Sequence, residues 1–192
     1  MHHPQKERTL LLIKPDGVRR GLTGEVLRRI EQRGLKVIAL QMISPTPAQM
    51  DAHYPHSEEW LRRLGEKTTT TFQKYNRDVT DTMGTADLLA IGTEVRTWLI
   101  TYMSSAPIVK VIVEGIHAVD MVRKLVGNTF PYQAEVGTIR GDFSVDSPIA
   151  ANLDKRSIFN IAHASETPQE AAHEIAHWFT GAELHEYDRS VE

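Results

Sequence analysis

A strand–helix–strand block that occurs twice narrows the fold more than any other feature of this chain. In the first block Thr9 to Ile13 is a compact apolar run, closed by Lys14-Pro15-Asp16-Gly17, whose proline and glycine stop a strand and turn the chain. A helix follows, with Thr23 placed to cap it, Val26, Leu27 and Ile30 on one face, and Gly34 where a left-handed C-terminal cap belongs. Leu35 to Ile43 is the returning strand, ended by Ser44-Pro45. In the second block Ile108 to Val113 is β-branched and dense enough for a central strand, although Lys110 interrupts it. His117 to Val126 is a helix with Val119, Val122, Leu125 and Val126 inward, and Gln133 to Ile139 reads as the fourth strand. Two such blocks without an internal sequence repeat imply an α+β sandwich, an antiparallel sheet with helices on one face.

Thr46-Pro47-Ala48-Gln49 reads as a capping box that opens a short helix. Residues 57–94 are less regular, with an amphipathic piece around Trp60 and Leu64, the low-complexity run Thr68 to Thr71, and a polar stretch through Gly84. Thr93 to Met103 has helical spacing, and 144–157 is polar and proline-interrupted, a loop with room for a helical turn. Thr167-Pro168-Gln169-Glu170 supplies a cap, an N-terminal proline and a capping-box glutamate to a final helix. Its expected buried stripe is Ala171, Ala172, Ile175, Ala176 and Phe179.

The 192 residues suit a single domain, and the net charge of −3 offers no bulk basic surface for nucleic acid. Any anion site must be a local cluster. No cysteine is present, which removes thiolate chemistry and disulfides and fits a cytosolic protein. No apolar run approaches the ~20 residues that span a bilayer.

His163 lies just ahead of the capped helix in Asn160-Ile161-Ala162-His163-Ala164-Ser165-Glu166-Thr167, where helix amides and dipole favour an anion. A neutral imidazole there could attack phosphorus, and Glu174 could accept from its other nitrogen and fix the tautomer. Lys14, Arg123 and Arg140, with Thr129 in a nearby loop, form a cationic set suited to a triphosphate tail, and no Walker-type loop is present. His173-Glu174-Ile175-Ala176-His177 also matches the H-E-x-x-H zinc pattern. The glycine and histidine of the extended pattern are replaced by Thr180 and Glu183, which leaves His185 or Glu186 as a third ligand. Arg140-Gly141-Asp142 is a three-letter adhesion match too common to carry weight.

Taken together, Ile13-Lys14-Pro15-Asp16-Gly17-Val18-Arg19-Arg20-Gly21, Glu114-Gly115, Gly137-Thr138-Ile139-Arg140-Gly141-Asp142-Phe143 and Asn160-Ile161-Ala162-His163-Ala164-Ser165 resemble nucleoside diphosphate kinase, in order, through both ends and most of the chain. The resemblance implies a ferredoxin-like sandwich with a four-stranded antiparallel sheet. It implies one domain over 1–192 with insertions at about 57–94 and 144–157, at the nucleotide cleft. It implies γ-phosphate transfer from a nucleoside triphosphate to a diphosphate through a phosphohistidine, with Mg²⁺ as cofactor. A cytoplasmic homo-oligomer, hexamer or tetramer, is expected, with neither a membrane nor a dedicated nucleic-acid surface.

By the same resemblance His163 is the nucleophile, Glu174 bonds its ring and Ser165 supports Glu174. Lys14, Arg123, Thr129 and Arg140 correspond to phosphate ligands, Tyr54 to the tyrosine beside the site, and Asn160 to the asparagine that meets sugar and phosphate. Glu166 stands where the family has an aspartate and would meet Mg²⁺ through water. The family's pair of phenylalanines, one of which stacks on the base, is replaced by Val95 and Arg96, so base stacking is expected to weaken or to move to Trp60. Two other classes remain open on the sequence: a nucleotide-binding regulator on the same scaffold, and a zinc hydrolase built on the H-E-x-x-H helix.

Overall fold

The protein is described by a computed structural model over residues 6–188. In chain order the elements are β1 Glu7–Ile13, α1 Pro15–Arg19, α2 Thr23–Gln32, β2 Lys36–Ile43, α3 Pro47–His53, α4 Glu58–Lys74, α5 Thr80–Met83, α6 Leu88–Met103, β3 Ile108–Gly115, α7 Ala118–Val126, α8 Ile139–Phe143, α9 Pro148–Leu153, β4 Ala162–Ala164 and α10 Pro168–Trp178. Short 3₁₀ turns lie at Pro131–Gln133 and Gly181–Glu183. The chain divides into two compact units, residues 1–44, 107–144 and 160–192 forming the first, and 45–106 with 145–159 the second.

The first unit holds the four-stranded antiparallel sheet in the order β2-β3-β1-β4. As the β-branched run requires, β3 is central, buried along nearly its whole length. Leu11, Ile13, Val109, Val111 and Val113 face Val26 and Ile30 of α2 and Val122 and Val126 of α7 in one apolar core. Gly34 has φ +86°, the left-handed cap expected of it. Thr23 is the first residue of α2 rather than its cap, and Leu22 precedes it without a side-chain cap.

The fourth strand is Ala162–Ala164, not Gln133 to Ile139. The alternation that suggests a strand at 133–139 has no sheet to bury it: Val136 is 91% exposed. Gly137 turns the chain at φ +93°, and Thr138 caps α8 by accepting from the Gly141 amide. A three-residue edge strand leaves no period to detect, and pairing with Leu11 to Ile13 is what defines it.

The second unit is helical and more regular than its sequence suggests. α4 runs through the threonine repeat: Thr71 donates its hydroxyl to the Lys67 carbonyl, and Thr68 is buried. Asp87 caps α6 through the Leu89 amide, so that helix starts ahead of the expected Thr93. Ser147 caps α9 inside the 144–157 stretch. α4 and α6 touch through two glycines. A Cβ on Gly65 would lie 2.0 Å from the Leu88 carbonyl oxygen, and one on Gly92 would lie 1.8 Å from that of Leu61. Gly92→Ala should therefore force the helices apart and cost about 3 kcal/mol or more. The melting temperature should fall by roughly 6–12 °C, and an unchanged value would refute this account of the contact.

In the first unit α10 buries Ala171, Glu174 and Trp178, while Ala172 and Ala176 face solvent. The expected stripe is thus rotated, because a carboxylate and a tryptophan take the inner face. Thr167 caps the helix through the Glu170 amide, but the Glu170 carboxylate reaches the Glu166 amide at 2.8 Å.

Candidate active site

The Lys14-Pro15-Asp16-Gly17 turn is a one-turn helix in which each residue has a separate task. Pro15 takes the N-terminal helical position, where its missing N–H is not needed. The Lys14 side chain is buried, donating to Asn160 Oδ1 at 2.8 Å, while its backbone amide donates to the Ile161 carbonyl at 2.8 Å. Asp16 accepts from the Ile161 amide at 3.0 Å. Gly17 is needed for close approach, since a Cβ there would lie 2.9 Å from Ile13 Cγ2 and 3.0 Å from the Ile161 carbonyl oxygen.

Ile161 is the residue this turn holds. It sits at φ +70°, rare and strained for a β-branched side chain, in a γ-turn closed by the Ala162 amide on the Asn160 carbonyl at 2.7 Å. The strain is over-determined by Lys14, Asp16 and Arg140. Arg140 is buried and gives three of its donors to backbone carbonyls: Asn160 at 3.0 Å, Gly127 at 2.8 Å and Ala162 at 2.6 Å. The chain therefore leaves residue 161 in one direction, directly into β4.

His163 lies in β4, opposite Leu12 of β1. Its Nε2 is 2.7 Å from Glu174 Oε1, and Ser165 Oγ donates to Glu174 Oε2 at 2.6 Å. Ser165 in turn accepts from the Leu10 amide at 3.3 Å. Glu174 is 3% exposed, so its two oxygens are oriented by a histidine and a serine rather than by water. A carboxylate on Nε2 keeps the hydrogen there and the lone pair on Nδ1, the tautomer of a nucleophile.

The charges near this turn are unbalanced. Burial, reinforced by Arg140 and opposed by Asp16, pushes Lys14 from 10.5 down to about 7. Burial and the nearby Arg123 push Arg140 down to about 10, again with only Asp16 opposing. Arg123 is partly exposed and 3.6 Å from Glu166. Cations that depress one another's pKa values leave a place for an anion.

Of the residues expected at the site, Lys14, Arg123, Thr129, Arg140, Asn160, His163, Ser165, Glu166 and Glu174 all belong to the first unit. Thr129 enters through its carbonyl, which accepts from Asn160 Nδ2 at 2.8 Å. Tyr54 belongs to the second unit, where its ring lies 4.9 Å from His53 and 6.3 Å from Trp60. In that unit Val95 packs against Phe72, Val79 and Ile91. Arg96 clamps the end of α3, donating to the carbonyls of Asp51, Tyr54 and Pro55 and to Asp51 Oδ1. Neither replaces a stacking ring. Sequence reasoning missed Asp16 and Arg96 as organisers, and the signal for Asp16 was its place inside the Lys14–Gly17 motif. The H-E-x-x-H match is divided: Glu174 points inward to His163, His173 is exposed and His177 packs edge-on to Trp178 at 4.8 Å. Among the described residues, His173 and His177 belong to no group of three side chains close enough to share a metal.

Comparison with known proteins places the chain in a family. The sequence profile of the nucleoside diphosphate kinase family matches residues 7–65 and 92–184. A nucleoside diphosphate kinase from Pyrobaculum aerophilum is 46% identical over 178 residues, 93% of this chain and 97% of that protein. The crystal structure of an NDP kinase from the same organism superposes with a TM-score of 0.92 at 44% identity, covering 94% of this chain and 100% of the other. A transition-state mimic of the Borrelia burgdorferi enzyme, with vanadate and ADP bound, gives a TM-score of 0.77 at 33% identity over 97% and 95% of the two chains. The profile and these near full-length relatives together establish that the chain belongs to the nucleoside diphosphate kinase family and is a phosphotransferase.

Proposed function

We propose that the protein transfers the γ-phosphate of a nucleoside triphosphate to a nucleoside diphosphate in two half-reactions through a phosphohistidine at His163. The observation that carries this reading is the Ser165–Glu174–His163 relay, with bonds of 2.6 and 2.7 Å. His163 Nδ1 attacks the γ-phosphorus, the bond to the β,γ-bridging oxygen breaks, and the diphosphate leaves with that electron pair. The ring gains positive charge as the N–P bond forms, and Glu174 stabilises it without moving a proton. In the second half-reaction the terminal oxygen of an incoming diphosphate attacks the same phosphorus and His163 is restored. Positioning and charge neutralisation do most of the work in such a transfer. Lys14, Arg123 and Arg140 supply the positive field, and Asn160 and Thr129 line the same turn.

Glu166 is a single exposed carboxylate rather than a cage, which suits a Mg²⁺ ion carried by the polyphosphate and met through water. When bound, the ion neutralises phosphate charge. The base end is read as weakly specified, because Val95 and Arg96 are engaged inside the helical unit. The stretches at about 57–94 and 144–157 are read as insertions into one family domain, and a homo-oligomer, hexamer or tetramer, in the cytoplasm is carried over from the family. Sedimentation velocity decides the assembly. None of the described helices is long and apolar enough to cross a membrane.

Protein incubated with γ-labelled ATP and no acceptor should release one equivalent of ADP and hold acid-labile, base-stable label. Chasing with diphosphates of different bases should discharge it at similar rates. Absence of label on the wild-type protein would sink the reading.

Lys14 gives a pH signature. Its folded value, about 7, lies below the unfolded 10.5, so between them the unfolded chain holds more protons. This group therefore makes stability rise with pH across that window, and its cost is complete below about 7. Polyphosphate favours the ammonium form, so the proton taken up at this site on nucleotide binding should grow from about one half near pH 7 toward one as the pH rises a further unit or so. Calorimetry in buffers of different ionisation enthalpy measures the uptake, and Lys14→Met should abolish it.

A further inference from the structure

We propose that Lys110 is a positioning residue for His163, acting by fixing the C-terminal end of α10; this rests on the phosphohistidine reading. Lys110 interrupts the central strand and is only 6% exposed, a place where an ammonium is costly unless paired. Its Nζ donates to the carbonyl of Trp178, the last residue of α10, at 2.5 Å. It also lies 3.4 Å from Glu183 Oε1 and 4.1 Å above the Phe179 ring. Glu183 is itself held, accepting from the Thr180 amide at 2.7 Å and hydroxyl at 2.8 Å. A cation at a helix C-terminus meets the negative end of the dipole as well as an open carbonyl.

The register explains why this end of the helix matters for the other. Lys110 pairs with Leu12, and Leu12 pairs with His163, so the three form one row across β3, β1 and β4 on a single sheet face. That face is opposite the one on which Leu11 and Val111 meet α2 and α7. Two strand spacings separate Lys110 from His163, roughly 10 Å. α10 spans the row and is attached at both ends of it: Glu174 to His163 and Ser165, and the Trp178 carbonyl to Lys110. Those attachments are four residues apart, about 6 Å of helix rise. The Lys110 bond therefore sets both the axial position and the rotation of the turn that carries Glu174. The hydrophobic effect is itself non-directional, so the two polar attachments add the directional constraint on this helix.

Three variants test this. Lys110→Met should lower the rate of His163 phosphorylation by about ten- to a hundredfold, the usual effect of a small misplacement, with KM nearly unchanged. Nitrogen-15 NMR should show His163 passing from the Nε2–H tautomer to a mixture. Lys110→Arg, which keeps a cationic donor, should restore most of the rate and the tautomer. A Lys110→Met protein that melts earlier but keeps the wild-type rate and tautomer would overturn the proposal, since Lys110 would then only stabilise the fold. If Lys110→Met does not fold, Glu183→Gln weakens the same anchor without emptying the sheet. A shift of the tautomer and a slower rate support the proposal, and wild-type values overturn it. Unlabelled wild-type protein would defeat the phosphohistidine reading, whereas the tautomer shift is read without nucleotide and stands or falls separately.

Discussion

His163→Ala protein should take up no label from γ-labelled ATP, and its nucleotide exchange should fall by on the order of 10⁴-fold or more. On the phosphohistidine reading no other group replaces His163, whose direction depends on the strained turn at Ile161 and on pairing of β4 with β1. Lys14, Arg123 and Arg140 remain in the variant, so nucleotide affinity should change little. The loss should therefore appear in kcat and not in KM, with bound nucleotide still measurable by fluorescence or calorimetry. Label on the variant would place the acceptor elsewhere and refute the assignment. Loss of nucleotide binding together with loss of label would mean that the substitution had disturbed the turn rather than removed a nucleophile. Melting temperature would expose that, since Lys14, Asp16 and Arg140 all fasten the same three residues.

Glu174→Gln should slow the first phosphorylation by about 10²–10³-fold, the scale of losing a preorganised charge from a transferring group. The amide oxygen can still accept from Nε2–H, so the tautomer need not change. What disappears is the negative charge that meets the ring as the N–P bond forms. The new NH₂ also faces Ser165 Oγ, which now donates to Glu174 and accepts from the Leu10 amide. The serine would have to turn its hydrogen away, loosening the relay at its second joint. Rapid-quench measurement of one turnover reads the effect directly, and a rate within about threefold of wild type would remove Glu174 from the chemistry. His177→Ala is the companion measurement. It lies on the same helix and in the zinc-like pattern, and phosphorylation should be almost untouched. Loss of activity together with loss of bound zinc would instead favour the hydrolase class.

Much of the site could be read from residues in their local order. The Lys14–Gly17 turn, the capped helix after His163, and Glu174 eleven residues beyond the histidine are short-range features whose chemistry follows from residue type and spacing. β1, β2, β3, α2 and α7 were legible because each carries enough apolar positions to display its period. β4 was not, since three residues hold no period and its only definition is the partner strand. The strand expected at Gln133 to Ile139 failed for the complementary reason: it has alternation but nothing to cover Val136. The regularity of residues 57–94 was missed because threonine is a poor helix former, and the close packing of α4 on α6 at Gly65 and Gly92 outweighs that preference.

Sequence alone determined β1 to β3, the helices α2, α7 and α10, the family, and the candidate pairing of His163 with Glu174, because these depend on neighbours along the chain and on motifs of fixed spacing. Tertiary structure decided which way those groups face. The inward turn of Glu174 on α10 depends on Ser165 and His163 donating to its two oxygens. Arg140 proved to hold the backbone of the strained turn, and Val95 and Arg96 to serve the interior of the helical unit. Lys110, which along the chain is only a break in an apolar strand, became an anchor once register set it in one row with Leu12 and His163. A charge among β-branched residues has no stated purpose in one dimension. Its partner, a helix-terminal carbonyl 68 residues away, exists only in the folded chain.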